Sequence, residues 1–370
     1  VYKRQLLINM YLLFATMDQP RFNDKPDTDV QARYRDNVAR HVISIALHLQ
    51  SEVMNSLTVK YRHDQLRISF QPYITLCGSN GARLSDIAEV LGISRQAANQ
   101  TANQIVAAGY LERRSDPSDG RAKLLFPTAR ARDMVARGAK EALRLQRQME
   151  RLDDARAIEV CSSMLTDLLR ALHLPLLGTD INHGGGTLPL AAALPRLSDY
   201  TNNRLMALTI ARGHPHLKLS FGQVLTAIGP QGGRIQQMAE SQGVSKQAIS
   251  ATATELEILG YIRRDTDPKD ARQVVLQFTD LGGQLIADSV DSVDDLREEF
   301  ARHIGWPALV ELEQTLRRIY RKLNLEQEIF GSDATGQETD MRLLARQLNR
   351  QLGESGARAL GDLLLSGDFY

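Results

Sequence analysis

Residues 66–128 and 217–279 align with each other without a gap at an offset of 151, and 24 of the 63 pairs are identical. Identical pairs include Leu66/Leu217, Phe70/Phe221, Arg83/Arg234, Gly92/Gly243, Ser94/Ser245 and Gly109-Tyr110/Gly260-Tyr261. The clearest stretch sets Asp116-Pro117-Ser118-Asp119-Gly120-Arg121 against Asp267-Pro268-Lys269-Asp270-Ala271-Arg272. A match of this length reads as duplication, so whatever one copy folds into, the chain is expected to hold twice. Two copies this long are not a solenoid, whose repeats are shorter and more numerous.

Each copy has a legible order of elements. Residues 30–60 carry apolar side chains at helical spacing (Val38, Val42, Ile45, Leu49, Val53), and residues 66–77 predict a second helix. A third spans 84–91 and stops at Gly92; Ser94 then caps a fourth. In that fourth helix Ala97, Ala98, Ile105 and Val106 are expected inward, with Arg95, Gln96, Asn99 and Asn103 outward. Two helices across a tight glycine turn form a helix-turn-helix pattern. Residues 110–114 and 122–126 are short and extended around an Asp-Pro turn, which predicts a two-stranded hairpin before a long helix from Thr128. The second copy predicts helices at 235–242 and 246–259, a hairpin over 262–278, and a long helix capped by Thr279. The expected fold is mainly α with small β-hairpin wings, a winged helix-turn-helix in each copy.

Punctuation divides the chain into an N-terminal segment (1–29), unit 1 (30–172), a linker (173–195), unit 2 (196–325) and a helical tail (326–370). The linker is marked by Leu174-Pro175, His183-Gly184-Gly185-Gly186 and Leu194-Pro195. Lys3 and Arg4 before Leu6-Leu7-Ile8 imitate a secretory signal, but Val1-Tyr2-Lys3-Arg4-Gln5 resembles the translation of a sequencing-library transposon end. The natural start is expected at Met10 or Met17, and residues 1–16 are left out of the fold. The tail holds eight acids against four bases, with Met341, Leu344, Leu348 and Leu352 on one helical face. It is expected to fold back on its own core, with dimerisation through it as the alternative.

The run Asp267 to Arg272, followed by Leu276-Gln277-Phe278-Thr279-Asp280-Leu281-Gly282, resembles the wing and helix start of the multiple antibiotic resistance regulator (MarR) family. Asp116 to Arg121 with Leu125 and Thr128 fits the same pattern, while Pro127 and Ala131 depart from it. The resemblance covers 30–172 and 194–325. It implies a double-stranded DNA-binding regulator, more often a repressor, released by a small aromatic or phenolic effector. Family members pair as homodimers, so one chain holding both halves is expected to act as an intramolecular pseudo-dimer on an asymmetric, pseudo-palindromic site. The recognition residues implied are Ser94, Arg95, Gln96, Asn99 and Asn103 in one copy and Ser245, Lys246, Gln247, Ser250 and Thr254 in the other. Arg121 and Arg272 would enter the minor groove, braced by Asp116, Asp119, Asp267 and Asp270. Arg113, Arg114, Arg263 and Arg264 would meet phosphates.

Charge gives this reading little help. Residues 81–126 hold six basic and five acidic side chains and 232–277 six of each, so any positive face must come from placement. That near-neutrality favours the alternative, a winged-helix protein-interaction module that does not bind DNA. Two cysteines exclude a disulfide framework, fit a cytoplasmic setting, and read as buried structural thiols. His214-Pro215-His216 lacks accompanying metal-ligand spacing and reads as a loop; no metal or other cofactor is expected. No nucleophile–base pattern or membrane span is visible, so neither an enzyme nor a membrane protein is expected.

Overall fold

The structure, a computed structural model, describes residues 28–330 except 79, 117–118, 175–185, 229–231, 243 and 268–269. The first half comprises α1 (Thr28–Arg35), α2 (Val38–Asn55), α3 (Gln71–Cys77), β1 (Ala82–Arg83), α4 (Leu84–Val90), α5 (Arg95–Ala107), β2 (Leu111–Asp116), β3 (Asp119–Pro127), α6 (Ala129–Leu152) and α7 (Ala155–Ala171). The second comprises α8 (Leu190–Ala211), α9 (Phe221–Ala227), β4 (Gly233–Arg234), α10 (Ile235–Gln242), α11 (Lys246–Ile258), β5 (Ile262–Asp267), β6 (Asp270–Phe278), α12 (Asp280–Ile304), α13 (Trp306–Lys322) and α14 (Leu325–Phe330). From α2 through α7, each element has a counterpart from α8 through α13 that starts 150–152 residues later.

Each half builds a three-stranded antiparallel sheet, ordered β1-β3-β2 and β4-β6-β5. The two-residue strands β1 and β4 are additions to the expected two-stranded hairpins, and too short to announce themselves in sequence. They matter because they tie the start of the helix-turn-helix to the wing: Ala82 pairs with Leu125, and Gly233 with Leu276. Pro127 is accommodated as the last residue of β3, opposite Leu111, where a missing N–H ends a ladder without breaking it.

Three apolar cores result. One lies inside each winged helix: Phe70, Ile74, Ile87, Ala98, Ile105 and Leu125 in the first, Phe221, Val224, Ile249, Leu256 and Leu276 in the second. The third joins the halves. It draws Ile45 and Leu49 from α2, Leu165 and Leu169 from α7, Leu194 and Leu197 from α8, and Leu296, Leu312 and Leu316 from α12 and α13. Helices α2 and α8, counterparts of each other, pack directly together here. This core explains a departure from expectation. The span 173–195 was read as linker, yet it is helical from Leu190, and Pro195 sits inside α8. An internal proline costs a helix about 3 kcal/mol. Leu190, Leu194 and Leu197 are almost wholly buried around it, and each buried leucine returns about 1.5–3 kcal/mol. Burial wins. The expected face of Met341, Leu344, Leu348 and Leu352 lies outside the described residues.

Polar contacts hold the halves in register. Asp36 accepts from Arg317 (Nε, 2.8 Å) and Arg321 (2.9 Å), and Arg33 reaches Asp294 (2.6 Å). Asp153, between α6 and α7, accepts from Arg318 and Lys322 on α13, both at 2.9 Å. Within the first half, Glu141, buried on α6, accepts from Lys60 (2.9 Å), the Tyr61 hydroxyl (2.8 Å) and Arg144 (2.5 Å). Burial alone would raise its pKa, but those three donors outweigh it and hold the group at about 2.

The long helices leave the wings through a shared latch. The Thr128 hydroxyl donates to the Gly109 carbonyl (2.7 Å) and accepts from the Ala131 N–H; Thr279 does the same with Gly260 (2.5 Å) and Gly282. Gly109 and Gly260 adopt φ of 77° and 80°, a region open to glycine at little cost. A methyl on Gly282 would stand 2.0 Å from the Tyr261 carbonyl oxygen. Gly282→Ala is therefore expected to cost about 1–3 kcal/mol, read as a lower denaturant midpoint; an unchanged midpoint would mean that the latch yields. The depressed Glu141 pKa carries its own sign. Its contribution is present above the ordinary glutamate pKa and is lost as pH falls through that value toward about 2. Denaturation from pH 6 to 2 should show a shallower loss of stability in Glu141→Gln than in the unsubstituted protein.

Candidate nucleic-acid interface

The helix-turn-helix forms where the sequence placed it. Gly92, at φ 64°, closes α4 as Ile93 N–H reaches the Ala88 carbonyl (3.0 Å). Ser94 caps α5 by accepting from Ala97 N–H (3.1 Å), and Ser245 caps α11 by accepting from Ala248 N–H (3.2 Å). The inner face of α5 is Ala98, Ala102 and Ile105; Ala97 is exposed, so the expected inward pair of alanines is Ala98 and Ala102 instead, four residues apart on one face. Val106 is half-buried against the same core. The counterparts on α11 are Ile249, Ala253 and Leu256.

Outward, Ser94, Arg95, Gln96, Asn99 and Asn103 are all exposed on α5, as are Ser245, Lys246, Gln247 and Thr254 on α11; Ser250 is half-buried. Among the described residues Arg95 and Lys246 have no ion-pair partner, which leaves a cation at the start of each helix. The four arginines assigned to phosphates are all engaged within the protein. Arg113 Nη2 donates to Oδ1 of Asn99 (2.9 Å) and of Asn103 (2.8 Å). Its counterpart Arg264 reaches the Thr254 hydroxyl (2.9 Å), Glu257 (3.0 Å) and the Ser250 carbonyl (3.4 Å). Arg114 pairs with Glu112 and lies 4.7 Å over the Phe126 ring; Arg263 pairs with Asp265 at 2.9 Å. Glu112 aligns with Arg263 and Arg114 with Asp265, so the same ion pair appears in both wings with its signs exchanged.

Asp116, almost fully buried, accepts from Arg83 (Nε, 2.8 Å) and so ties the wing tip to β1. The expected brace to Arg121 lies outside the described residues; Arg83 is a partner the sequence reading did not name, and its identity with Arg234 in the repeat was the signal for it. The backbone sets Asp119 opposite Asp116 and Asp270 opposite Asp267 at the two wing tips, with Arg121 and Arg272 just beyond on β3 and β6. The side chains of Asp119, Arg121, Asp267, Asp270 and Arg272 lie outside the described residues. A strut beside each of α5 and α11 escaped sequence reading: Arg67 donates to Gln104 (3.3 Å), and Lys218 pairs with Glu255 at the equivalent place.

His214 lies in the loop between α8 and α9, as expected, and is buried there, bonded to the Tyr261 hydroxyl (3.1 Å) and Asp288 (2.9 Å), which gives it a structural role. Burial pushes the thiols of Cys77 and Cys161 up to about 12, so neither is a ready nucleophile. An open cleft of about 390 Å³ lies between the start of α2 and helices α12 and α13, lined by Arg33, Asp36, Asp294, Arg297, Glu313 and Arg317. These charges are paired with one another across the cleft. Among the described residues no group of three metal-ligating side chains could hold an ion, and no helix is long and apolar enough to cross a membrane.

Residues 75–122 match the model of the MarR family, so a MarR-family domain occupies the segment from α3 to the first wing. The crystal structure of transcriptional regulator Tm0710 from Thermotoga maritima is similar at 18% identity, covering 35% of this chain and 92% of that one, with a TM-score of 0.29. A likeness at that score carries no argument about function. No curated protein matches the chain by sequence. The capping geometry yields a direct check. Ser94→Ala should destabilise the first helix-turn-helix by about 1 kcal/mol, seen as faster amide exchange along α5 with α11 unaffected.

Proposed function

We propose that this protein is a sequence-specific double-stranded DNA-binding transcription regulator, a ligand-responsive repressor in which one chain acts as a MarR-type dimer. The observation that carries the proposal is the pair of exposed, serine-capped helices, each backed by a wing and both mounted on one common apolar core. A core of this kind holds two recognition elements at a fixed separation, as binding to successive turns of duplex DNA requires. The MarR-family domain over 75–122 supports the same reading. On this proposal Arg95 and Lys246 make the leading contacts from the helices, and Arg121 and Arg272 enter the minor groove from the wings. The effector would be a small aromatic or phenolic acid that shifts the helix separation by binding one arrangement better than another.

The two halves offer different chemistry to DNA. Helix α5 presents Arg95, Asn99 and Asn103, whereas α11 presents Lys246, Ser250 and Thr254 and adds Glu255 and Glu257. Arginine's rigid fork matches the two acceptors of guanine more closely than lysine's rotatable ammonium does, so the first half-site should be the more specific. The acids on α11 also favour the interaction-module reading, and one experiment separates the two. Selection from a random duplex pool should enrich an asymmetric site spanning about two turns, with enrichment lost in Arg121→Ala/Arg272→Ala protein. Binding should weaken steeply as salt rises. Salt-insensitive capture of a protein with no duplex enrichment would reverse the conclusion.

A further inference from the structure

We infer that Arg113 is a specificity-setting positioning residue: by holding the amide oxygens of Asn99 and Asn103 toward itself, it turns both NH₂ groups outward and steers the base pairs they read toward guanine and away from adenine. The inference rests on the DNA-binding reading above and adds to it the identity of the preferred base.

The argument is one of hydrogen-bond supply. Asn99 and Asn103 lie four residues apart on the exposed face of α5, and Arg113 rises from β2 beside them. A guanidinium has N–H donors and no acceptor, so the atom each asparagine turns toward it must be the carbonyl oxygen. The distances are 2.9 Å and 2.8 Å. Each amide therefore presents its NH₂ outward, with its oxygen turned toward Arg113 and one of that oxygen's two lone pairs engaged. Bidentate reading of adenine needs the oxygen and the NH₂ to face the base side by side, because the oxygen must accept from N6–H while the NH₂ donates to N7, and an oxygen held toward Arg113 is turned away from that geometry. Guanine presents two acceptors, N7 and O6, in the major groove, and an NH₂ group can satisfy either. Arg95, one turn earlier on the same helix, is a donor only.

The second half shows the same device with a different result. Arg264 donates to the Thr254 hydroxyl (2.9 Å), whose own proton goes to the Ser250 carbonyl (2.9 Å). That hydroxyl has spent its one donor and one of its two lone pairs, so nothing at this position of α11 can donate to a base. The clamp sharpens readout by α5 and silences the same position of α11. Reading α5 residue by residue, without its strand partner, gives the opposite base for the asparagines.

The test is selection from a random duplex pool with the unsubstituted protein and with Asn99→Ala, Asn103→Ala, Arg113→Ala and Arg113→Met, the last keeping an aliphatic stem beside the helix. The alanine variants of the asparagines identify the base pairs each one reads, as positions where preference is lost. Those positions should be G·C with the unsubstituted protein. With Arg113→Ala and Arg113→Met they should move to A·T, by about tenfold or more. Adenine at these positions in the unsubstituted protein would overturn the inference while leaving DNA binding intact. So would unchanged preferences in both Arg113 variants, loss of binding in both, or asparagine variants that alter no position. Failure of the unsubstituted protein to enrich any duplex would overturn the DNA-binding reading itself, and this inference with it.

Discussion

The packing of α2 against α8 is the constraint on which the rest of the arrangement depends. These helices occupy the same place in their respective halves, and each makes its most extensive helix contact with the other. Ile45 and Leu49 from one and Leu194 and Leu197 from the other are fully excluded from water in the core the two share. Close-packed interiors resist deformation, so the spacing of the two winged helices follows from this contact. The ion pairs at Asp36 and Asp153 then choose the register, since each draws its cations from α13 of the opposite half. Buried apolar area supplies the stabilisation; the charges select one arrangement among those the apolar surface allows.

Much of this was legible in the sequence, and what was not has physical reasons. Ser94, Gly92, Gly109 and Thr128 are local signals, and each forms the cap or turn it announces. Pro195 misled because a local rule was set against a burial that only the assembled core reveals. Ala97 misled for a related reason: an alanine can sit on either face of a helix, and Ala98, with Ala102 four residues on, is the one that faces the core. The least legible layer was the side-chain pairing at the candidate interface. Arg113, Arg114, Arg263 and Arg264 read as free cations because their partners lie on neighbouring elements or two residues away across a strand. Strands β1 and β4 are too short for any periodicity to expose.

The halves share a scaffold and differ in what they display on it. The latch at Thr128 and Thr279, the caps at Ser94 and Ser245, and the strut beside each of α5 and α11 occur in both. The exposed positions have drifted further: asparagines face a serine and a threonine, and the wing ion pair has exchanged its signs. An exchange of signs keeps the pair's local attraction and its net charge, so it alters little at the wing base. Changes on the recognition helices have no such compensation, and there the two surfaces differ in both charge and donor supply.

Joining both halves in one core changes how substitutions count. In a symmetric pair of identical chains, every altered residue appears twice, and a change that suits one side is imposed on the other. Here Asn99 and Ser250 vary independently while the core between them stays common. Dilution cannot separate the two halves either, because their association is intramolecular and each meets the other at an effective concentration set by the chain that joins them. The protein thus carries two independently editable surfaces on one shared core.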